Sequence, residues 1–116
     1  MEKPTPALQG LRVLDLGRHQ AAPRAGHILA RLGAEVIKIE PPGNNETRTG
    51  VPRVRDLSTH WICMNAGKKS LGLDLRSEEG KEIVRELVKV SDVFIQNFRV
   101  GMIQHIGFGY DVLKAL

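Results

Sequence analysis

Aromatic residues make up only 4% of the chain, there is one cysteine, and no apolar run approaches a membrane span. Each scarcity excludes a class of function. Crossing a bilayer takes about 18 consecutive apolar residues, so no membrane-spanning segment is expected. The lone Cys63 cannot close an internal disulfide, and the opening MEKPTPALQG lacks the apolar core of a secretion signal. Both point to a reducing, cytoplasmic compartment. With Trp61 and Tyr110 isolated, stacking platforms for bases are few, and a nucleic-acid partner would rest on charge alone; none is expected. The histidines His19, His27, His60 and His105 have neither i, i+4 pairing nor companion cysteines, so no metal site is expected. A hydrolase nucleophile elbow, G-x-S-x-G, is also missing.

Two glycine motifs come close and fail. NAGKKS ends like a phosphate loop, but Ile62 stands where the first glycine is required, and a strand pattern follows instead of a helix. GFGYDV has Gly107 and Gly109 but Val112 in the third position, and it follows a helix.

What remains is the composition of one globular domain, 41% hydrophobic and 26% charged, able to bury roughly two-thirds of its unfolded surface. The net charge of +4 is uneven, with an excess of three positive charges between Gly43 and Lys69. Such a loop suits a phosphate and equally suits plain solvation.

The apolar run Arg12–Leu16 reads as a buried strand, with Asp15 anchoring backbone or a polar neighbour. A helix then starts near Pro23, with Ala25, Ile28, Leu29 and Leu32 as its apolar face and Gly33 as its stop. EVIKIE is a second strand, ended by Pro41-Pro42-Gly43. From Asn44 to about Thr59 a polar stretch broken by Gly50 and Pro52 predicts a long excursion. SLGLDL alternates as a half-buried strand with Leu71, Leu73 and Leu75 on one side. Ser77 caps a helix whose buried stripe is Ile83, Val84, Leu87 and Val88, with Glu78–Lys81, Glu82–Arg85 and Glu86–Lys89 pairing outside. DVFIQNF, Asp92 to Phe98, is a further buried strand, followed by a short helix to Ile106 and another from about Asp111. That last helix carries Val112, Leu113 and Leu116 with no stop signal, which predicts a fold incomplete at its C-terminus. The order predicts an α/β fold, a mainly parallel sheet flanked by helices, with ligands at the carboxyl ends of the strands.

Taken together, LQGLRVLDLGRHQAAPRAGHILARLGAEVIKIEPPG, Arg48, and NAGKKSLGLDLRSEEGKEIVRELVKVSDVFIQNFRVGMIQHIGFGYDVL resemble the N-terminal part of family III CoA-transferases, the group that includes formyl-CoA transferase and alpha-methylacyl-CoA racemase. The similarity runs from Leu8 to the last residue. It implies a Rossmann-like large domain, of which residues 1–116 are the N-terminal part, and an enzyme that moves coenzyme A from an acyl-CoA to a free carboxylic acid through a covalent aspartyl intermediate. It also implies chains that interlock as homo-oligomers. By the same resemblance Gln20 lies near the reacting thioester, Ala21 beside it is a CoA-binding residue, and Leu73, Asp74, Leu75, Arg76, Asn97, Phe98 and Arg99 line the CoA. His105 occupies the place of a CoA-contacting arginine. The residues alone suggest core packing for Phe98 and a strand-ending turn for Asn97.

Departures from the family pattern are Ala22 for a glycine, Val100 for a proline, and Pro41 and His105 for arginines. None of Asp15, Asp56, Asp74, Asp92 or Asp111 matches the catalytic aspartate, so the chain alone is expected to be inactive. The alternatives are a non-catalytic CoA- or nucleotide-binding module, an interaction subunit completed by another chain or by a missing remainder, and part of an acyl-CoA racemase.

Overall fold

Successive residues of a strand face opposite ways, and the apolar character of both sets in LRVLDL and EVIKIE calls for cover on both faces of the sheet. The computed structural model, which describes residues 4–43 and 46–116, supplies it. The elements run β1 (Arg12–Asp15), α1 (Ala21–Arg31), β2 (Glu35–Glu40), α2 (Glu46–Thr49), β3 (Arg53–Val54), β4 (Leu57–Ser58), α3 (Thr59–Asn65), β5 (Lys69–Gly72), α4 (Glu78–Lys89), β6 (Val93–Ile95), α5 (Met102–His105) and α6 (Tyr110–Lys114). Four strands form a parallel sheet in the order β5-β2-β1-β6, as the α/β expectation required. Strands β3 and β4 pair separately as a small antiparallel hairpin.

One face carries the larger core: Leu14, Ile39 and Leu73 meet Val84 of α4, Ile103 of α5 and Phe108. Leu71, Leu73 and Leu75 all join it, as their alternation predicts. The opposite face packs Val13, Ala34 and Val36 against Leu8, Leu29 and Ala30. Ser77 caps α4, its hydroxyl accepting from the Gly80 amide at 3.0 Å. The three outer pairs of α4 form at 2.8, 2.8 and 2.5 Å. Gly33, at φ +104°, turns the chain out of α1 in a conformation that side chains resist.

Four expectations change. DVFIQNF is not a buried strand: β6 lies at the edge of the sheet, with Val93 exposed and Phe94 and Ile95 half-buried. Helix α1 buries Ala22, Pro23 and Gly26, while Ile28 and Leu32 are about half exposed and Ala25 is exposed. The reason is close approach: at Gly26 an added Cβ would stand 2.9 Å from Asp15 Oδ2, so the side of α1 that faces the sheet is the one with small residues. Ile83 likewise is exposed while Val84 is fully buried. The excursion after β2 is not a bare loop, because α2, the β3–β4 hairpin and α3 organise it; Asn44, where it was expected to begin, lies outside the described residues, as do residues 1–3.

Candidate functional site

The order in which strands are added reverses at β1: α1 leads from it to β2 on one side, while β6 docks parallel on the other. In parallel sheets such a reversal opens a crevice beyond the carboxyl ends of the diverging strands. Here the crevice is closed at one point by an amide. Asn97 Oδ1 accepts from the Arg18 amide at 2.8 Å, and Asn97 Nδ2 donates to the Arg18 carbonyl at 2.9 Å. The turn after β1 and the corner after β6, 79 residues apart, are thereby fastened together.

Next to this junction lies a cleft of about 500 Å³. Leu16, Ile39, Leu73, Phe98 and Ile106 give it an apolar lining, and Arg18, Lys38 and Arg76 bring positive charge against Glu40 and Asp74. Of the residues singled out from the sequence, Leu73, Asp74, Leu75, Arg76 and Phe98 line it. Gln20 precedes α1 and Ala21 begins it; both are exposed beside the junction. Asn97 holds the turn with both ends of its amide, and Arg99 is exposed, its carbonyl accepting from Met102 at 2.9 Å. His105 is exposed on α5 and does not line the cleft. Phe98 both lines the cleft and packs on the larger core, so its packing role and its place at the site coexist. Another hollow, of about 570 Å³ beside β6 and α6, is lined by none of these residues.

Asp74 and Arg76 form one unit. Asp74 Oδ1 accepts from the Arg76 amide at 3.0 Å and Nε at 2.9 Å, and Oδ2 accepts from Nη2 at 2.9 Å. Arg76 holds the Asp74 carboxyl down to about 2. The guanidinium itself remains largely exposed at the cleft rim.

Beneath the turn is a group that the sequence did not announce. Asp15, fully buried, has Lys68 Nζ at 2.7 Å and Lys38 Nζ at 3.5 Å, and its Oδ1 accepts from the Gly17 amide at 2.8 Å. Burial pushes both lysine pKa values down, opposed chiefly by Asp15. Glu40, also buried, accepts from Arg48 Nε at 3.0 Å and from the Trp61 indole at 2.9 Å, and the Arg48 guanidinium stacks 4.0 Å from the Trp61 ring centre. Asp15 was read as an anchor and is one. Lys38 and Glu40 were legible in principle, because Val36, Lys38 and Glu40 share one face of a strand buried on both sides. Among the described residues no group of three or more His, Cys, Asp or Glu side chains is arranged to hold a metal ion.

Comparison with known proteins gives this geometry a context. The family model for CoA-transferase family III matches residues 8–116. The chain is 40% identical over 111 residues to the formyl-CoA:oxalate CoA-transferase of Streptomyces coelicolor, covering 95% of this chain and 27% of that protein. It is 42% identical over 111 residues to the succinyl-CoA:glutarate CoA-transferase of Homo sapiens, covering 94% and 25%. Among solved structures, a CAIB/BAIF family protein from Brucella suis superposes with a TM-score of 0.88 at 41% identity, covering 97% of this chain and 31% of that one. Rv3272 from Mycobacterium tuberculosis gives 0.89 at 39%, with the same coverage. The chain spans about a quarter of the length of the curated relatives it matches.

Proposed function

The chain belongs to CoA-transferase family III, and from that premise we propose that residues 1–116 form the N-terminal part of a Rossmann-like domain and supply part of a site for coenzyme A. The substrates are an acyl-CoA and a free carboxylic acid. The observation that carries the reading is the meeting of three segments, Gly17–Ala21, Leu73–Arg76 and Asn97–Arg99, at the carboxyl ends of parallel strands beside one cleft. Its apolar lining suits a pantetheine arm, and the exposed Arg76 guanidinium suits a phosphate.

The aspartate that would carry CoA between donor and acceptor lies outside these residues. Its carboxylate would attack the acyl-CoA carbonyl and release the CoA thiolate; the thiolate would then attack the resulting anhydride to give aspartyl-CoA and the donor acid. Such a carboxylate must be reachable, and Asp15 is buried among its partners. Asp74, held to Arg76 on both oxygens, is a poor nucleophile. Asp92 Oδ2 accepts from the Arg12 amide at 2.8 Å, at the far end of β1. The free, exposed thiol of Cys63 fits a cytoplasmic location.

Calorimetry of this chain with CoA and with NAD tests the site: binding of CoA in preference to NAD is expected, and preference for NAD would overturn the reading. Incubation with an isotopically labelled acyl-CoA and a panel of carboxylic acids should give no exchange; turnover by this chain would place the nucleophile within it. Self-association is also proposed, on the half-exposed Ile28 of α1 and Leu32 just beyond its end. Sedimentation at increasing concentration should show self-association, and a monomer throughout would remove that proposal.

A further inference from the structure

The transfer steps proposed above make no use of the buried ions under the first turn. Two ammonium groups and one carboxylate inside a small domain are a poor way to gain stability, because aliphatic side chains of similar size hold such places equally well or better. Their hydrogen bonds suggest a different use. Lys68, its side chain 1% exposed, directs three N–H groups to Asp15 Oδ2 at 2.7 Å, Asn65 Oδ1 at 2.8 Å and the Pro23 carbonyl at 2.6 Å. An ammonium has three donors, and all are engaged. Lys38, 5% exposed, donates to the Gly17 carbonyl and faces Asp15 Oδ1, which accepts the Gly17 amide. Both ends of the segment from Gly17 to Pro23 are thus tied to one carboxylate from below, while Asn97 holds Arg18 from the β6 side.

The segment needs holding. His19 within it sits at φ +59°, a left-handed conformation uncommon for a residue with a side chain, and such residues persist only where their surroundings fix them. Gly26 admits the ions: a Cβ there would stand 3.2 Å from Lys68 Nζ.

We propose that Lys68 and Lys38 are positioning residues, which through Asp15 set the height and direction of the Gly17–Pro23 segment and so deliver Gln20 and Ala21 to the junction with Asn97. Aliphatic replacements would fill the volume yet leave the Gly17 carbonyl and the Asp15 carboxylate without their ammonium donors and let the segment take several conformations. With the ions in place, ordering is complete before a ligand arrives, which is what raises affinity in a preorganised site. That the ligand is coenzyme A rests on the function proposed for the site; the anchoring does not.

The test separates charge from bulk. In the 116-residue chain carrying Cys63→Ser and Lys68→Cys, alkylation in denaturant with 2-bromoethylamine places an ammonium at nearly the length of lysine, and 1-iodopropane places a neutral chain of equal size. After refolding, amide hydrogen exchange is read residue by residue and CoA binding by calorimetry. In the propyl form the Gly17 and Arg18 amides should exchange at least tenfold faster, with the Leu14 and Val36 amides within twofold of the unaltered chain, and CoA should bind at least tenfold more weakly. The aminoethyl form should restore all three. Equal protection in both forms overturns the proposal, and so does loss spread evenly over the sheet or failure of the propyl form alone to refold, since either makes the ions mere scaffold. If turn protection is lost and rescued as expected while the unaltered chain binds no CoA, positioning stands and the coenzyme assignment falls.

Discussion

Asp74 keeps its carboxylate against the Arg76 guanidinium at the cleft rim, and its pKa of about 2 carries a pH consequence with a definite sign. A carboxyl whose folded pKa lies below its usual value adds stability above the usual range and loses it as pH falls through the folded pKa. The contribution of this pair is therefore present at neutral pH and fades between about 4 and about 2. A carbon-detected NMR titration should put the Asp74 midpoint near 2, and Arg76→Ala should raise it toward the ordinary carboxylate range, the backbone amide of residue 76 still holding it somewhat below; an unmoved midpoint would mean that the guanidinium is not the cause. Gly26 offers a second test at one residue. In an ordinary helix interior, Gly→Ala stabilises by about 1 kcal/mol. Here the new methyl would meet Asp15 Oδ2 at 2.9 Å, so Gly26→Ala should lower stability by about 1–3 kcal/mol in urea unfolding, opposite in sign to the propensity.

Among the elements, the excursion between β2 and β5 is held to the sheet by side chains more than by a core of its own. Arg48 of α2 and Trp61 of α3 both donate to Glu40 at the end of β2, and Arg48 also reaches Ser70 Oγ of β5 at 3.1 Å. Since the chain has a single tryptophan, its fluorescence reports this attachment directly. Unfolding followed by Trp61 emission and by far-ultraviolet circular dichroism should coincide in the native sequence. Trp61→Phe cannot supply the same probe, but Glu40→Gln can be read by it, and there the emission transition should precede the other. Helix α4 is the simpler case: Ser77→Ala removes the acceptor of the Gly80 amide and should cost about 1 kcal/mol.

These elements also show how much of the molecule was legible in its residues. Strands β1, β2 and β5, the cap at Ser77, the outer ion pairs of α4 and the stop at Gly33 all follow from local pattern, because each depends on neighbours within a few positions. The buried face of α1 did not, since small residues there answer to a polar cluster assembled from Asp15, Lys38 and Lys68. Helix α3 escaped notice because THWICMN is short and mixes β-branched and aromatic residues that favour neither period. At the candidate site, the segments after β5 and β6 were singled out through family resemblance, and Leu73 to Arg76 and Phe98 line the cleft. Their mutual placement, and Asn97 serving as a clasp, depend on strand order, which no local pattern encodes.

Across the whole molecule, strand order makes the junction a long-range object. Asn97→Ala removes two exposed hydrogen bonds and should cost about 1 kcal/mol or less in unfolding experiments while weakening CoA binding more than that stability loss implies. Equal, small effects on both would reduce Asn97 to a local turn former.

The central strand has a consequence in time. Because β1 emerges first yet is flanked by β2 and by β6, whose residues come some 80 positions later, one side of it stays unpaired until almost the entire segment has left the ribosome. Contacts of such separation form slowly. A nascent chain halted before Val93 would expose the open edge of β1 to chaperones and to other chains, and pulse labelling during refolding should find the Arg18 amide among the last to be shielded.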